Sequence, residues 1–135
     1  MTSENLQDEL IQAALHARNW AYSPYSGYLV GAALLTNSGK IYDGVNVENA
    51  AYPVTMCAER VAVFKAVSEG ERTFEAIAVA TTNGGSPCGS CRQVLAEFGL
   101  DTLVLLVDEN GEVVEKMTVS DLLPKAFTPA DLDIK

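Results

Sequence analysis

Apolar residues recur at helical spacing near the start of the chain. Leu6, Leu10, Ala13, Ala14, Ala17 and Ala21 form one stripe, which predicts an amphipathic helix over residues 6–21. Ile11 and Leu15 fall outside that stripe and read either as a subunit contact or as isolated exposed apolar residues. Pro24 and Gly27 break the helix. A β-strand pattern follows at 30–35, turned by Asn37-Ser38-Gly39 into a second strand at 40–45. A helix is predicted at 56–67 with a stop near Gly70, then a strand at 74–81, a helix at 87–98 stopped by Gly99, and a strand at 102–107. Asn110-Gly111 is a strong turn signal that returns a last strand, 113–117, antiparallel to its predecessor. Thr118, with Asp121 three residues on, has the spacing of a capping box opening a short helix that Pro124 ends.

Strand, helix, strand in succession implies a right-handed crossover between parallel neighbours, whereas the hairpins are antiparallel. The expected class is therefore α/β: one mixed five-stranded sheet sandwiched by helices, with the last two strands antiparallel. At 135 residues the chain fits a single domain, 1–135, large enough to bury a core. A hydrophobic fraction of 48% and no low-complexity tract are those of a globular protein.

Charge narrows the choice of partners. A formal net charge of −9 opposes binding to a phosphate backbone, which relies on Lys and Arg, so a small neutral substrate is expected in place of nucleic acid. Residues 1–9 are polar and acidic, and no apolar run approaches the ~20 residues that span a bilayer. Neither a membrane nor a secretory route is expected, and the chain reads as cytoplasmic.

Three cysteines cannot all pair with one another, and in a reducing compartment they read as metal ligands or redox groups. Their spacing favours a metal. Cys88 and Cys91 form a Cys-x-x-Cys within Pro87-Cys88-Gly89-Ser90-Cys91, and Cys57 stands two residues before Glu59. Both segments read as helix starts, with Thr55 and Ser86 as N-caps and Pro87 as the first helical residue. Each helix would direct its positive end at a thiolate, offsetting the −1 net charge of three thiolates around one Zn²⁺. Arg60 and Arg92, each next to a motif residue, would add hydrogen bonds to sulfur. Three ligands with no fourth leave the open position of a catalytic zinc. The single histidine, His16, lies beside Glu9 and Gln12 on the polar side of the first helix and reads as a surface residue. Glu59, two residues after a ligand at a helix start, is the natural proton carrier.

Cys57-Ala58-Glu59 followed by Pro87-Cys88-x-x-Cys91 resembles the three-cysteine signature of zinc nucleoside deaminases. The similarity to cytidine deaminases of the small, homotetrameric type extends from Tyr22-Ser23-Pro24-Tyr25-Ser26 through Val30-Gly31-Ala32-Ala33 and Asn46-Val47-Glu48-Asn49-Ala50 to Leu122-Leu123-Pro124. The resemblance implies zinc held by Cys57, Cys88 and Cys91, a proton shuttle in Glu59, and hydrolysis of cytidine, and of deoxycytidine, to the uridine product and ammonia in pyrimidine salvage. It also implies ribose contacts from Asn46 and Glu48, places Val47 and Ala58 in the substrate-binding set, and has Phe127 reach the pyrimidine of a neighbouring subunit in a homotetramer with shared sites. Asn46 and Glu48, two apart at a strand end, point to one side and carry the donors and acceptors a sugar needs. Where the family commonly has phenylalanine after Pro-Tyr-Ser-x, this chain has Tyr28, whose hydroxyl needs a partner if buried. Ser90 replaces a commoner alanine inside the Cys-x-x-Cys. Rival expectations are a deaminase for an aminonucleoside antibiotic or an RNA base, and a binding module with a structural zinc.

Overall fold

The computed structural model describes residues 2–133 and contains the expected mixed five-stranded sheet flanked by helices. In chain order the elements are α1 (Glu4–Arg18), β1 (Gly31–Thr36), β2 (Ile41–Val45), α2 (Ala58–Ser68), β3 (Phe74–Ala80), α3 (Gly89–Phe98), β4 (Leu103–Val107), β5 (Val113–Thr118) and α4 (Val119–Leu122). Short 3-10 turns lie at Tyr52–Val54 and Pro129–Leu132. The strand order is β2-β1-β3-β4-β5. β1 pairs antiparallel with both β2 and β3, β3 pairs parallel with β4 across the α3 crossover, and β4 pairs antiparallel with β5. The Thr118 capping box is present: Thr118 Oγ1 accepts from the Asp121 backbone at 3.3 Å, and Asp121 Oδ2 accepts from the Thr118 backbone at 3.0 Å.

Alternation along the strands sends side chains to two separate cores. Ala32, Leu34, Ile77, Val79, Val104 and Leu106 face α2, α3 and α4, where Ala58, Ala62, Val63, Leu95 and Val119 are buried. Ala33, Leu35, Ala76, Ala78, Ala80, Leu105 and Val107 face α1. Because so many of the positions beneath α1 are alanine, that helix seats low on the sheet. A Cβ on Gly31 would lie 2.2 Å from the Ala14 carbonyl oxygen.

This close seating corrects the expected burial of α1. Ile11 is buried, with 6% exposure, alongside Leu10, Ala14 and Ala17, whereas Leu6 in the first turns is 36% exposed. The buried arc is wider and rotated toward Ile11, because an alanine-lined floor admits the helix flanks as well as its midline. The helix also stops earlier than its apolar pattern. Ser3 caps its start, and beyond Arg18 the N–H groups of Asn19, Trp20 and Ala21 bond three residues back, at 3.2, 2.9 and 3.1 Å. No helix among the described residues is long and apolar enough to cross a membrane.

Candidate active site

Glycine brings the second helix onto the sheet. A Cβ on Gly44 would lie 2.5 Å from the Ala58 carbonyl oxygen and 2.6 Å from the Ala62 nitrogen, so only a bare Cα allows the first turn of α2 to approach β2 this closely. That turn opens at the C-terminal end of β2, and α3 opens at the C-terminal end of β3. Crevices at the carboxyl ends of strands are where open α/β sheets bind ligands. A 330 Å³ pocket lies there, bounded by Tyr28, Asn46, Glu48, Cys57, Glu59 and Cys88 among others.

The N-caps of the two helices are the cysteines themselves. Cys57 (φ −78°, ψ 151°) caps α2 and Cys88 (φ −67°, ψ 169°) caps α3, and neither side chain makes a capping hydrogen bond. This corrects the assignment of Thr55 and Ser86 as caps and places Pro87 outside the helix. Both sulfurs therefore stand at positive helix ends without backbone partners, and Cys91 joins them from the first turn of α3. The three Sγ atoms all lie within 4.8 Å of one another, with Cys57 to Cys88 at 3.8 Å and Cys88 to Cys91 at 3.3 Å. Tetrahedral zinc with Zn–S bonds near 2.3 Å holds its sulfurs about 3.8 Å apart, the separation of Cys57 and Cys88, so the three sulfurs are gathered on the scale that ion needs.

The sulfurs also need a cation. The Cys57 thiol is pushed down to about 5, mainly by a hydrogen bond from Cys91 and further by the Arg60 guanidinium, whose Nη2 donates to Cys57 Sγ at 3.3 Å. Cys91 is pushed far up, first by that same bond to Cys57 and then by burial. Cys57 thus favours the thiolate and Cys91 the thiol, and a divalent cation is what would stabilise three thiolates together. Among the described residues no histidine, aspartate or glutamate joins this group. His16 lies exposed on α1, on the other side of the sheet.

Glu59 lines the pocket with 5% exposure, and burial lifts its carboxyl to about 7. Ala58 beside it is fully buried and also lines the pocket. On another wall, Asn46 Oδ1 accepts from the Val30 backbone at 2.9 Å while its Nδ2 donates to the Tyr28 carbonyl at 2.7 Å. Glu48 Oε1 accepts from the Tyr25 and Ser26 backbones at 2.9 and 3.1 Å, and its Oε2 accepts from the Ser26 hydroxyl. The Ser26 hydroxyl is the first cause of the lowered pKa of Glu48.

Residues 4–107 match the model of the family described as the cytidine and deoxycytidylate deaminase zinc-binding region. The chain belongs to this family. It is 52% identical over 128 residues to the cytidine deaminase of Sporosarcina psychrophila, covering 93% of each protein. It is also 52% identical over 127 residues to the cytidine deaminase of Halalkalibacterium halodurans, covering 92% of this chain and 96% of that one. The solved cytidine deaminase from Burkholderia pseudomallei superposes with a TM-score of 0.85 at 46% identity, covering 93% of this chain and all of that one.

Two residues named from the sequence take other places than expected. Arg92 makes no hydrogen bond to sulfur: Nε donates to the Pro87 carbonyl at 2.8 Å, Nη1 to the Leu122 carbonyl at 2.8 Å and Nη2 to Ser86 Oγ at 2.7 Å. Pointing away from the cluster, it fastens α4 and the Pro87 segment to α3. Val47 is 43% exposed and off the pocket, because strand alternation that turns Asn46 and Glu48 inward turns it out. Its backbone pairs with Met56. Phe127 is 58% exposed and lies outside its own chain's pocket, with its carbonyl accepting from Gln93 Nε2 at 2.6 Å. The hydroxyl of Tyr28 finds its partner in Asn83 Oδ1 at 2.9 Å.

Sequence reasoning missed Arg18, which donates to the Leu29 carbonyl and to Thr82 Oγ1, each at 2.9 Å, joining two pocket-forming segments. It missed Thr81 as well, whose Oγ1 accepts from the Gly85 backbone at 2.8 Å at the pocket edge. Both act between segments far apart in the chain, and no local pattern signals them.

Proposed function

We propose that the chain is a zinc-dependent cytidine deaminase: cytidine and water give uridine and ammonia, and deoxycytidine reacts likewise. One observation carries the reading. The buried Glu59 carboxyl shares a nucleoside-sized pocket with a three-sulfur metal group that has no fourth protein ligand among the described residues. Cys57, Cys88 and Cys91 would hold the ion, with Arg60 supporting Cys57. When bound, Zn²⁺ supplies Lewis acidity and an open coordination position where water becomes acidic near neutral pH.

The remaining chemistry is assigned to this chain's own groups. Glu59 accepts the proton that water gives up and delivers it to N3 of cytosine, drawing electrons from C4. The water oxygen bonds to C4, and Glu59 carries the second proton to the amino group. The C4–N bond then breaks and ammonia leaves. Burial raises the Glu59 carboxyl above its ordinary value, which suits a group that must give protons as well as take them.

Asn46 and Glu48 serve the ribose. Each is already committed to the 25–30 segment, yet Asn46 keeps one N–H free and the Glu48 carboxylate keeps acceptor capacity. The same bonds pre-orient both groups, which lowers the ordering cost of binding. Ala58 packs beside the base, and Tyr28 forms part of the pyrimidine wall. Phe127 acts in a neighbouring subunit of a homotetramer; its exposure, and its distance from its own chain's pocket, support a role in trans. A single domain, a cytoplasmic location and a place in pyrimidine salvage complete the reading; three cysteines outside any disulfide accord with a reducing compartment.

The test is the ultraviolet absorbance change on cytidine loss with zinc-loaded protein. Wild type should turn cytidine over, and Glu59→Gln should lose ~10²- to 10⁴-fold in kcat while keeping its zinc. Zinc without ammonia release from wild type would make the metal structural and the reading wrong.

A further inference from the structure

Residues 81–87 connect β3 to the cysteine that caps α3, and the start of this segment is fastened to the end of the sheet. Thr81 N donates to the Val107 carbonyl at 3.1 Å, and Asn83 forms a β-bridge with Asp108. Asp108 is itself held by a turn, since its Oδ1 accepts from the backbones of Asn110 and Glu112 at 2.9 and 3.0 Å. The Asn83 side chain therefore projects from a rigid base. Its Oδ1 receives the Tyr28 hydroxyl at 2.9 Å. On the other side, Gly85 N–H donates to Thr81 Oγ1 at 2.8 Å, and that hydroxyl donates onward to Asn83 Oδ1 at 3.4 Å.

Tyr28 needs such a hold. It is 40% exposed and belongs to neither of the aromatic pairs, Tyr25–Tyr52 and Phe74–Phe98, found among the described residues. At its root, the backbone of Tyr28 is fixed by Ser26 Oγ at 3.0 Å and Asn46 Nδ2 at 2.7 Å. At its tip the recorded hydrogen bond is to Asn83. The tip also lies directly over Gly85, where an added Cβ would sit 2.6 Å from the hydroxyl oxygen. Both Tyr28 and Gly85 line the pocket, so the height of the ring over Gly85 sets its width.

We propose that Asn83 is a positioning residue for the substrate, which, with the clearance left by Gly85, clamps the Tyr28 ring as a fixed wall against which the pyrimidine packs. This rests on the deaminase reading and extends it to a residue outside the zinc and proton machinery. A clamped ring is already ordered when the nucleoside enters. Released, it must be ordered at the expense of binding. Glu59 stands on a different element, α2, so the effect falls on KM and leaves the proton transfers alone.

The variants are Asn83→Ala, Asn83→Asp, Tyr28→Phe and the Asn83→Ala/Tyr28→Phe double, assayed zinc-loaded with cytidine and by calorimetric binding of uridine, the product. Asn83→Ala should raise KM about 3- to 10-fold, the worth of one net hydrogen bond, and weaken uridine by the same factor, with kcat within about twofold of wild type. Asn83→Asp keeps an acceptor oxygen and should restore both. The double variant should be no worse than Tyr28→Phe alone, because each change removes the same bond. If Asn83→Ala does not fold, Tyr28→Phe alone must show the KM and uridine effects. Unchanged KM, a loss confined to kcat, failure of Asn83→Asp to recover, or additive single effects would each overturn the clamp. Absence of cytidine turnover by the wild type would instead overturn the deaminase reading.

Discussion

Replacing Gly44 with alanine tests whether one missing methyl group on β2 sets the position of α2, the helix that carries Glu59. The new Cβ would meet the Ala58 carbonyl oxygen at 2.5 Å, the Ala62 nitrogen at 2.6 Å and Val61 Cβ at 3.0 Å. The first two are backbone atoms that no side-chain rotation can clear. Comfortable contacts lie near 3.5 Å, so α2 must move off the strand by about 1 Å. Overpacking of this kind costs about 1 to 3 kcal/mol, and the loss of glycine's freedom in the unfolded chain returns about 0.4 to 1 kcal/mol. The net of roughly 1 to 2 kcal/mol corresponds to a Tm lower by roughly 3 to 10 °C for a chain of this size. The functional effect should exceed the stability effect. Cys57 and Glu59 ride on the displaced turn while Cys88 and Cys91 stay with α3, and a misplacement of about 1 Å costs on the order of 10² in rate. Thermal unfolding followed by circular dichroism, paired with cytidine turnover at a temperature where the variant is fully folded, reads both. An unchanged Tm would refute the packing argument. A lowered Tm with wild-type turnover would refute the claim that this contact registers the site.

Cys88→Ser should leave less than a tenth of the wild-type zinc by metal analysis, because a serine hydroxyl does not ionise to supply the third anionic ligand. Arg92→Ala should lower stability by about 2 kcal/mol in urea unfolding, the scale of charged hydrogen bonds lost to Pro87, Leu122 and Ser86, yet keep its full zinc complement. Phe127→Ala should raise KM with zinc content unchanged. When its chains are exchanged with Glu59→Gln chains, activity should recover above either parent, and proven exchange without recovery would defeat the role in trans.

The parts of the fold legible in the sequence are those set by local periodicity. β1, β3 and β4 stand where their apolar runs predicted them, and the Asn110-Gly111 turn and the Thr118 capping box were readable as short-range chemistry. The zinc group was legible because Cys88 and Cys91 lie one helical turn apart and Cys57 opens a second helix. What periodicity could not give was the depth at which α1 seats. That depends on Ala33, Ala76, Ala78 and Ala80 of two other segments, and it buried Ile11 while leaving Leu6 exposed. Arg92 was misread for a similar reason. Adjacency to Cys91 in sequence placed it near sulfur, but on a helix neighbours in sequence point about 100° apart, and the fork turned to Leu122, thirty residues away.

The misplaced caps explain how this site joins folding to metal binding. Sequence rules put an oxygen at a helix N-cap, since serine, threonine or aspartate satisfies an orphan N–H of the first turn. Thr55 and Ser86 were the available oxygens, each two residues upstream, yet the chain enters both helices at cysteine, in extended geometry and with no side-chain capping bond. Each helix therefore forgoes a stabilisation of typically about 1 kcal/mol at its start. In exchange, the Cys57 and Cys88 sulfurs stand at the two helix N-termini, where the partial positive charge of the ends favours thiolate. The buried α2 and α3 faces bring those ends together against Ala32, Val79 and Val104, so the core holds in register three anionic ligands that would repel one another if free. Glu59, two residues beyond a cap, is carried into the same crevice by the burial of Ala58 and Ala62 on either side of it. The capping rule fails at Cys57 and Cys88, where the sulfurs are gathered into a group that could hold a metal ion, and a bound ion would return the local stability given up there.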